Sequence, residues 1–274
     1  LSQFARGHVK VALGGEGSDE LFAGYQTFTA DRLMRLYRML PKTAHGAISK
    51  CIDALPVSHR YFSFDFKARQ FLRGAEAPDE YVHQAWLESF NAQEKTELLT
   101  PEFRAMATKH PYARIDEYLA HLPHADRNLQ TSYLYLRTYL LDVLLVKADR
   151  MSMLHSLEVR APFLDREVAE LALRMPSRYK HRGQTGKYIL RRLMKERLPH
   201  TIVKRKKHGF GLPVGNWFCN EWRELLLETV APERVRATGV FEPATVSRLC
   251  KEHISGSHNH RKKLWSLLVF QLWY

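Results

Sequence analysis

The sequence predicts a mostly α-helical fold with one or two strands at its N-terminus. Apolar residues recur at i, i+3 and i+4 along most of the chain, as in "DEYVHQAWLESF" and "PYARIDEYLAHL". One short apolar run, "HVKVAL" at 8–13, stops at Gly14-Gly15 and reads as a buried strand. Pro and Gly punctuate the helical pattern up to about residue 125. At 274 residues the chain can bury a sizeable core, as one large domain or two small ones.

Element by element, the strand is followed by a helix with Ser18 as expected N-cap and Asp19 and Glu20 in its first turn. "TADRLMRLYRML" at 29–40 continues as an amphipathic helix that ends at Pro41. Residues 127–156 form the strongest helical block, Leu- and Tyr-rich yet containing Asp142, Lys147, Asp149 and Arg150. Asp142 and Asp149 are seven apart and should share a face, with Arg150 beside it. "LEVRAPF" is a brief extended piece, followed by a helix from about Asp165. "TGKYILRRLMKERLP" predicts a helix with Lys187 in its first turn. "RKKHGFGLPVGNWF" reads as a loop, and the chain beyond Asn220 as amphipathic helix.

Composition narrows the function classes. Cys51, Cys219 and Cys250 lie far apart, with no CxxC and no His at metal-ligand spacing, which favours a reducing compartment. The longest apolar stretch, "LWSLLVFQLWY", is too short to span a bilayer. With no signal peptide visible, the expectation is a cytoplasmic protein that needs no membrane. The chain starts at Leu1 rather than Met, which suggests processing or a fragment. Its net charge of +13 is concentrated at 187–210, which carries nine Lys/Arg against one Glu. A solvated helix face or a phosphate-rich small ligand accounts for that charge. No nucleic-acid-binding motif accompanies it, so no nucleic-acid partner is expected.

The stretch "VALGGEGSDELFAGY" poses the chemical question. Strand, Gly-rich turn and helix start make a phosphate-binding arrangement, because free N–H groups converge there. Yet the loop supplies Glu16, Asp19 and Glu20, which repel phosphate unless a divalent cation intervenes. A carboxylate not so used can position an amine nucleophile or take its proton. Plain helix capping accounts for Ser18 and Asp19 and leaves Glu16 over. The P-loop pattern is absent, and "GGEGSDE" lacks the third Gly of the dinucleotide fingerprint.

"LGGEGSDELFAGY" resembles the "LSGEGADELFGGY" signature of glutamine-dependent asparagine synthetases. "LLVKADRMSMLHSLEVRAPFLDREVAELAL" resembles that family's second signature, and "GKYILRRLM" followed by "RKKHGFGLPVGNWF" its third. The resemblance implies an α/β fold, with the Rossmann-like core of the ATP pyrophosphatases (adenine nucleotide α-hydrolases). It implies that ATP activates aspartate as an acyl-adenylate and that glutamine-derived ammonia displaces AMP. The cofactors implied are ATP and Mg²⁺, the partners small-molecule substrates, with a homodimer possible. By motif position, Glu16, Lys187 and Arg150 would be catalytic. Gly15, Gly17, Ser18 and Lys187 would bind nucleotide and pyrophosphate, and Asp19 would help hold Mg²⁺. Asp142, Asp149 and Glu20 would line the substrate cleft.

Each assignment has a plainer counterpart. Glu158 and Arg160 could pair across a tight turn. Asp149 and Arg150 could be a buried ion pair. Arg205, Lys206 and Lys207 could close over pyrophosphate or be surface. His155 reads as a core histidine. Gly14 departs from the signature's usual Ser, and neither an N-terminal Cys nor an "SGGxDS" loop is present. Residues 1–274 therefore read as the C-terminal portion of a synthetase domain, without its glutaminase domain and phosphate loop. Such a chain is expected neither to hydrolyse glutamine nor to activate aspartate alone. Competing readings are a β-lactam synthetase-like or peptide-cyclising enzyme and, in another class, a basic helical nucleic-acid-binding or scaffold module.

Overall fold

The computed structural model describes residues 1–60, 62–107, 110–205 and 211–274. The chain divides into two compact units, Leu1–Leu33 with Tyr112–Lys207 and Met34–Pro111 with His208–Tyr274. Helix dominates both, and the two described strands form one parallel pair, an arrangement compatible with an α/β fold.

In the first unit, β1 (Val11–Leu13) pairs with β2 (Glu158–Arg160) in the register Val11↔Glu158, Ala12↔Val159 and Leu13↔Arg160. One or two strands were expected at the N-terminus; one lies there, and its partner comes from the extended piece at 158–160. β1 is also less buried than its apolar run suggests, with Leu13 at 74% exposure. Alternation along a strand sends neighbours to opposite faces, and neither face of so short a pair is fully covered. Arg160 Nε donates to Glu158 Oε1 at 2.7 Å, so these residues do pair, along one strand face rather than across a turn. Both side chains are exposed, so the pair contributes at most about 1 kcal/mol.

The block at 127–156 is not one α-helix. α-helical Arg127–Tyr135 passes into a π-helical stretch, Leu136–Leu145, and back to α-helix at Val146–Met153. The wider i→i+5 winding slips the helical phase, so a seven-residue spacing no longer returns to one face. Asp142, Asp149 and Arg150 are all exposed, and Asp149 and Arg150 form no ion pair with each other. The helix expected from about Asp165 begins there, and Asp165 caps it by accepting the N–H groups of Glu167 and Val168 at the start of Arg166–Arg174. That helix packs Ala172 against Leu21 and Phe22, while Phe28 and Ala23 pack on Tyr135. These contacts fix the segment that follows β1.

The second unit is built around Leu98, Phe218, Leu226, Val246, Leu264 and Leu267. Its two long C-terminal helices are Pro243–Ile254 and Arg261–Trp273. No helix among the described residues is long and apolar enough to cross a membrane. All three cysteines are free.

His253, on the first of these helices, is fully buried. Its Nε2 bonds the Gly215 carbonyl at 3.0 Å, and its Nδ1 accepts the His260 N–H at 3.1 Å. Burial, reinforced by His59, pushes its pKa down to about 4. A second ring proton would face the His260 amide, so the folded ring is neutral. The unfolded ring protonates near pH 6.5, so acid favours the unfolded chain between about pH 6.5 and 4. Stability is complete above that window and falls through it, by on the order of 3 kcal/mol from His253. Thermal melts across this pH range should show the decline, and a flat profile would contradict the neutral assignment.

Candidate functional site

The Gly-rich loop leaves β1 at Gly14, whose N–H donates to the Arg160 carbonyl at 2.8 Å. Gly17 takes a left-handed conformation, φ 84°, and a Cβ there would lie 2.2 Å from Leu164 Cδ2. Gly17, not Ser18, is the N-cap of the helix Ser18–Leu21. The Ser18 hydroxyl instead turns back to donate to the Gly15 carbonyl at 2.8 Å, so it is not available to cap. The helix is only one turn long, and its dipole is correspondingly weak. Positive charge at this place comes from a side chain.

That side chain is Lys187. It lies at the N-cap of Tyr188–Met194 rather than in the first turn, and its own backbone is left-handed, φ 52°. Such a conformation costs a non-glycine residue about 1–2 kcal/mol. The Lys187 N–H donates to the Phe22 carbonyl at 2.9 Å and holds it there. Lys187 Nζ then donates to Ser18 Oγ at 2.8 Å and lies 3.1 Å from Asp19 Oδ1. The ammonium is thus fixed beside a hydroxyl and a carboxylate 169 and 168 positions away.

Two glycines make this approach possible, and motif reading passed over both. A Cβ on Gly186 would sit 2.3 Å from the Ala23 carbonyl oxygen. A Cβ on Gly24 would sit 2.2 Å from Asp19 Oδ1 and 2.3 Å from Lys187 Cε. Ala23 is itself left-handed, φ 52°, and Gly24 N–H closes the turn onto the Asp19 carbonyl at 2.8 Å. The available signal was the Gly inside "AGY" and "TGK", next to the candidate positions.

The carboxylates have different fates. Glu16 is half-buried and folds over Gly14, and its Oε2 is buried with no hydrogen-bond partner. An orphaned carboxylate oxygen is costly unless a donor or cation reaches it. Glu20 is 1% exposed and accepts a short hydrogen bond from the Tyr25 hydroxyl. Burial raises the Glu20 pKa against the pull of that bond, and burial with Glu20 raises the Tyr25 phenol. Tyr25 packs in turn on Tyr135 and Tyr139. Glu20 therefore faces the interior, and Tyr25 joins the site as a residue the sequence did not single out.

The structure brings together Ser18, Asp19 and Lys187 by direct contact, with Gly15, Gly17, Glu16 and Glu20 on the same short segment. It brings no hydrogen bond or ion pair from Asp142, Asp149 or Arg150 to that cluster. Arg205 is exposed; Lys206 and Lys207 lie outside the described residues. His155 is half-buried.

The residues present fit a magnesium-bound polyphosphate in part. Glu16 offers an unused oxygen, which suits a cation or an N–H donor. Asp19 already faces the Lys187 ammonium, which would have to yield before a metal took that oxygen.

Comparison with known proteins bears on the same segments. The family model for asparagine synthase matches residues 1–274. The chain is 34% identical over 275 residues to a putative asparagine synthetase [glutamine-hydrolyzing] of Mycobacterium tuberculosis (strain ATCC 25618 / H37Rv), covering all of this chain and 40% of that protein. It is 28% identical over 280 residues to asparagine synthetase [glutamine-hydrolyzing] 1 of Bacillus subtilis (strain 168), again over all of this chain and 42% of the relative. A fungal amidase, chry2 of Gibberella zeae, is 23% identical over 85% of this chain and 36% of its own length. The chain thus spans about two fifths of the length of the synthetases it matches. No solved structure matches it. A model match over the full 274 residues, with synthetase relatives aligned along all of them, places the chain in the asparagine synthase family.

Proposed function

We propose that these 274 residues are the C-terminal portion of the synthetase domain of a glutamine-hydrolysing asparagine synthase. The whole protein would activate aspartate with ATP, form an aspartyl-adenylate with loss of pyrophosphate, and transfer glutamine-derived ammonia to give asparagine and AMP. The observation that carries this reading is the meeting of Lys187 Nζ with Ser18 Oγ and Asp19, which joins the first and third signature segments in one cluster.

In this reading Lys187 compensates charge developing on the α-phosphate and the departing pyrophosphate. Ser18, Gly15 and Gly17 shape the loop against the phosphates. Glu16, with its unused oxygen, orients the incoming ammonia and accepts its proton. Mg²⁺, when bound, would neutralise pyrophosphate charge, with Asp19 the carboxylate that would hold it once the Lys187 ammonium yields. Glu20 and Tyr25 act as positioning residues by fixing the helix that carries Ser18 and Asp19. Arg150, Asp142 and Asp149 are kept as cleft residues on the family resemblance alone. The core is taken as Rossmann-like and the protein as cytoplasmic, with no nucleic-acid partner, on the same footing.

The test is ATP–pyrophosphate exchange by the full-length protein, with aspartate set against other carboxylic acids. Aspartate-dependent exchange, and asparagine formation on adding glutamine or ammonium, is the expected result. Exchange supported by another acid but not by aspartate would replace the substrate. Glu16→Gln should slow asparagine formation by about 10²-fold or more while exchange persists, because it removes the proton acceptor for the amine. Equal loss of exchange would move Glu16 to the adenylation step.

A further inference from the structure

Outside that site, the second unit gathers Glu252, His258 and His260, with one ligand-type atom from each within 4.8 Å of the others. The sequence showed no metal-ligand spacing, because the three residues meet only when a loop folds back on a helix end. Glu252 lies in the last turn of Pro243–Ile254, and the histidines lie on the loop before Arg261–Trp273. His260 Nε2 is 2.5 Å from Glu252 Oε2, and His258 Nδ1 is 3.9 Å from the same oxygen. The two imidazoles stack nearly parallel, 5° apart, with centroids separated by 5.4 Å.

We propose that Glu252, His258 and His260 form a binding site for a borderline divalent cation of the zinc class. Two imidazoles and one carboxylate suit Zn²⁺, Co²⁺ or Ni²⁺ better than Mg²⁺ or Ca²⁺, which favour oxygen ligands. With metal–ligand bonds near 2.0–2.1 Å, ligand atoms around a tetrahedral ion lie about 3.3 Å apart. The 2.5 and 3.9 Å separations straddle that value, so only small side-chain shifts are required.

The backbone that carries the ligands is already fixed. The His258 N–H donates to the Glu252 carbonyl at 3.1 Å, and Gly256 supplies the left-handed turn, φ 77°. Asn259 Nδ2 donates to the Ser58 carbonyl at 2.8 Å, and the His260 N–H donates to His253 Nδ1. A site fixed in this way loses little entropy on binding. His258 is 60% exposed and Glu252 25%, so the ion would be reachable and solvent would complete its coordination. Against the ion stand Arg248, which bonds Glu252 Oε1 at 3.2 Å, and the nearby Lys263 ammonium. The bound carboxylate oxygen is the other one, Oε2.

A second cluster, His59, Cys219 and His253, is the weaker candidate. Both ring nitrogens of His253 are engaged, and burial holds the Cys219 thiol protonated. The test is a titration of the full 274-residue chain with Co²⁺ and Zn²⁺. One equivalent of Co²⁺ should bind with visible absorption of nitrogen and oxygen ligation and without a sulfur charge-transfer band. His258→Ala and Glu252→Gln should each weaken binding more than about tenfold, since even outer-shell partners are worth about 10–100-fold. Cys219→Ser should change nothing. Zn²⁺ at 100 times its Kd should raise the Tm by about 5–10 °C, and His258→Ala should cut the rise at the same Zn²⁺ concentration to about half or less. Because His258 is largely exposed, that variant is expected to fold, which circular dichroism would check. No stoichiometric uptake, or uptake indifferent to both ligand variants, overturns the proposal. A sulfur band lost in Cys219→Ser would overturn it in favour of the second cluster.

Discussion

Replacing Lys187 with Ala in the full-length protein should lower aspartate-dependent ATP–pyrophosphate exchange by about 10²–10³-fold, the usual loss when one preorganised charge-stabilising donor is removed. The ammonium bridges Ser18 Oγ and Asp19 and is only 24% exposed, so neither solvent nor a neighbouring lysine replaces it readily. Lys187→Arg should not rescue fully. The guanidinium is planar and broader than the ammonium, and Gly24 leaves no spare room beside Lys187 Cε. The secondary structure should survive both changes, because the Lys187 N–H still reaches the Phe22 carbonyl. Near-normal exchange by Lys187→Ala would remove Lys187 from the adenylation chemistry.

Gly186→Ala is expected to be the most damaging methyl addition near the site. The new Cβ would meet the Ala23 carbonyl oxygen at 2.3 Å, and that atom belongs to backbone held by neighbouring hydrogen bonds. Overpacking of this kind costs about 1–3 kcal/mol, and relief requires moving the strand of chain that presents Lys187. Stability and exchange should therefore fall together. Gly183→Ala is the control: Gly183 is left-handed, φ 61°, with nothing within 4 Å of a Cβ. Its cost of about 1–2 kcal/mol is conformational, and exchange should be unaffected. Paired denaturation curves and exchange rates would decide. Loss of exchange in Gly183→Ala but not in Gly186→Ala would reverse the steric account.

The site was legible in the sequence where chemistry lies in local residue type. Gly15, Glu16, Gly17, Ser18, Asp19 and Lys187 could be named from their motifs, and the helix start near Asp165 from the extended piece and Pro that precede it. What was hidden depends on partners far away in the chain. Ser18 fits a cap locally, but its hydroxyl is drawn to Gly15 and Lys187 instead. Lys187 reads as an ordinary first-turn residue until the Phe22 carbonyl holds it left-handed. A three-residue parallel strand has too few positions to display a period, so "EVR" could be read only as extended. The π-helical stretch at 136–145 was invisible because Leu, Val and Tyr fill seven of its ten positions and leave little phase to detect. Glu20 carries the same charge as its neighbours in "SDE", and only the fold turns it inward onto Tyr25.

Gly14 and Glu16 have a consequence for how this family can drift. A Cβ at position 14 would lie 1.9 Å from Glu16 Oε2, so a serine there and this placement of the carboxylate exclude each other. The two positions are therefore coupled: a serine at 14 would displace the Glu16 carboxylate from its place over the loop, a shift the flexible end of that side chain can make. The orientation of the acid would then be inherited through a residue that has no functional group of its own.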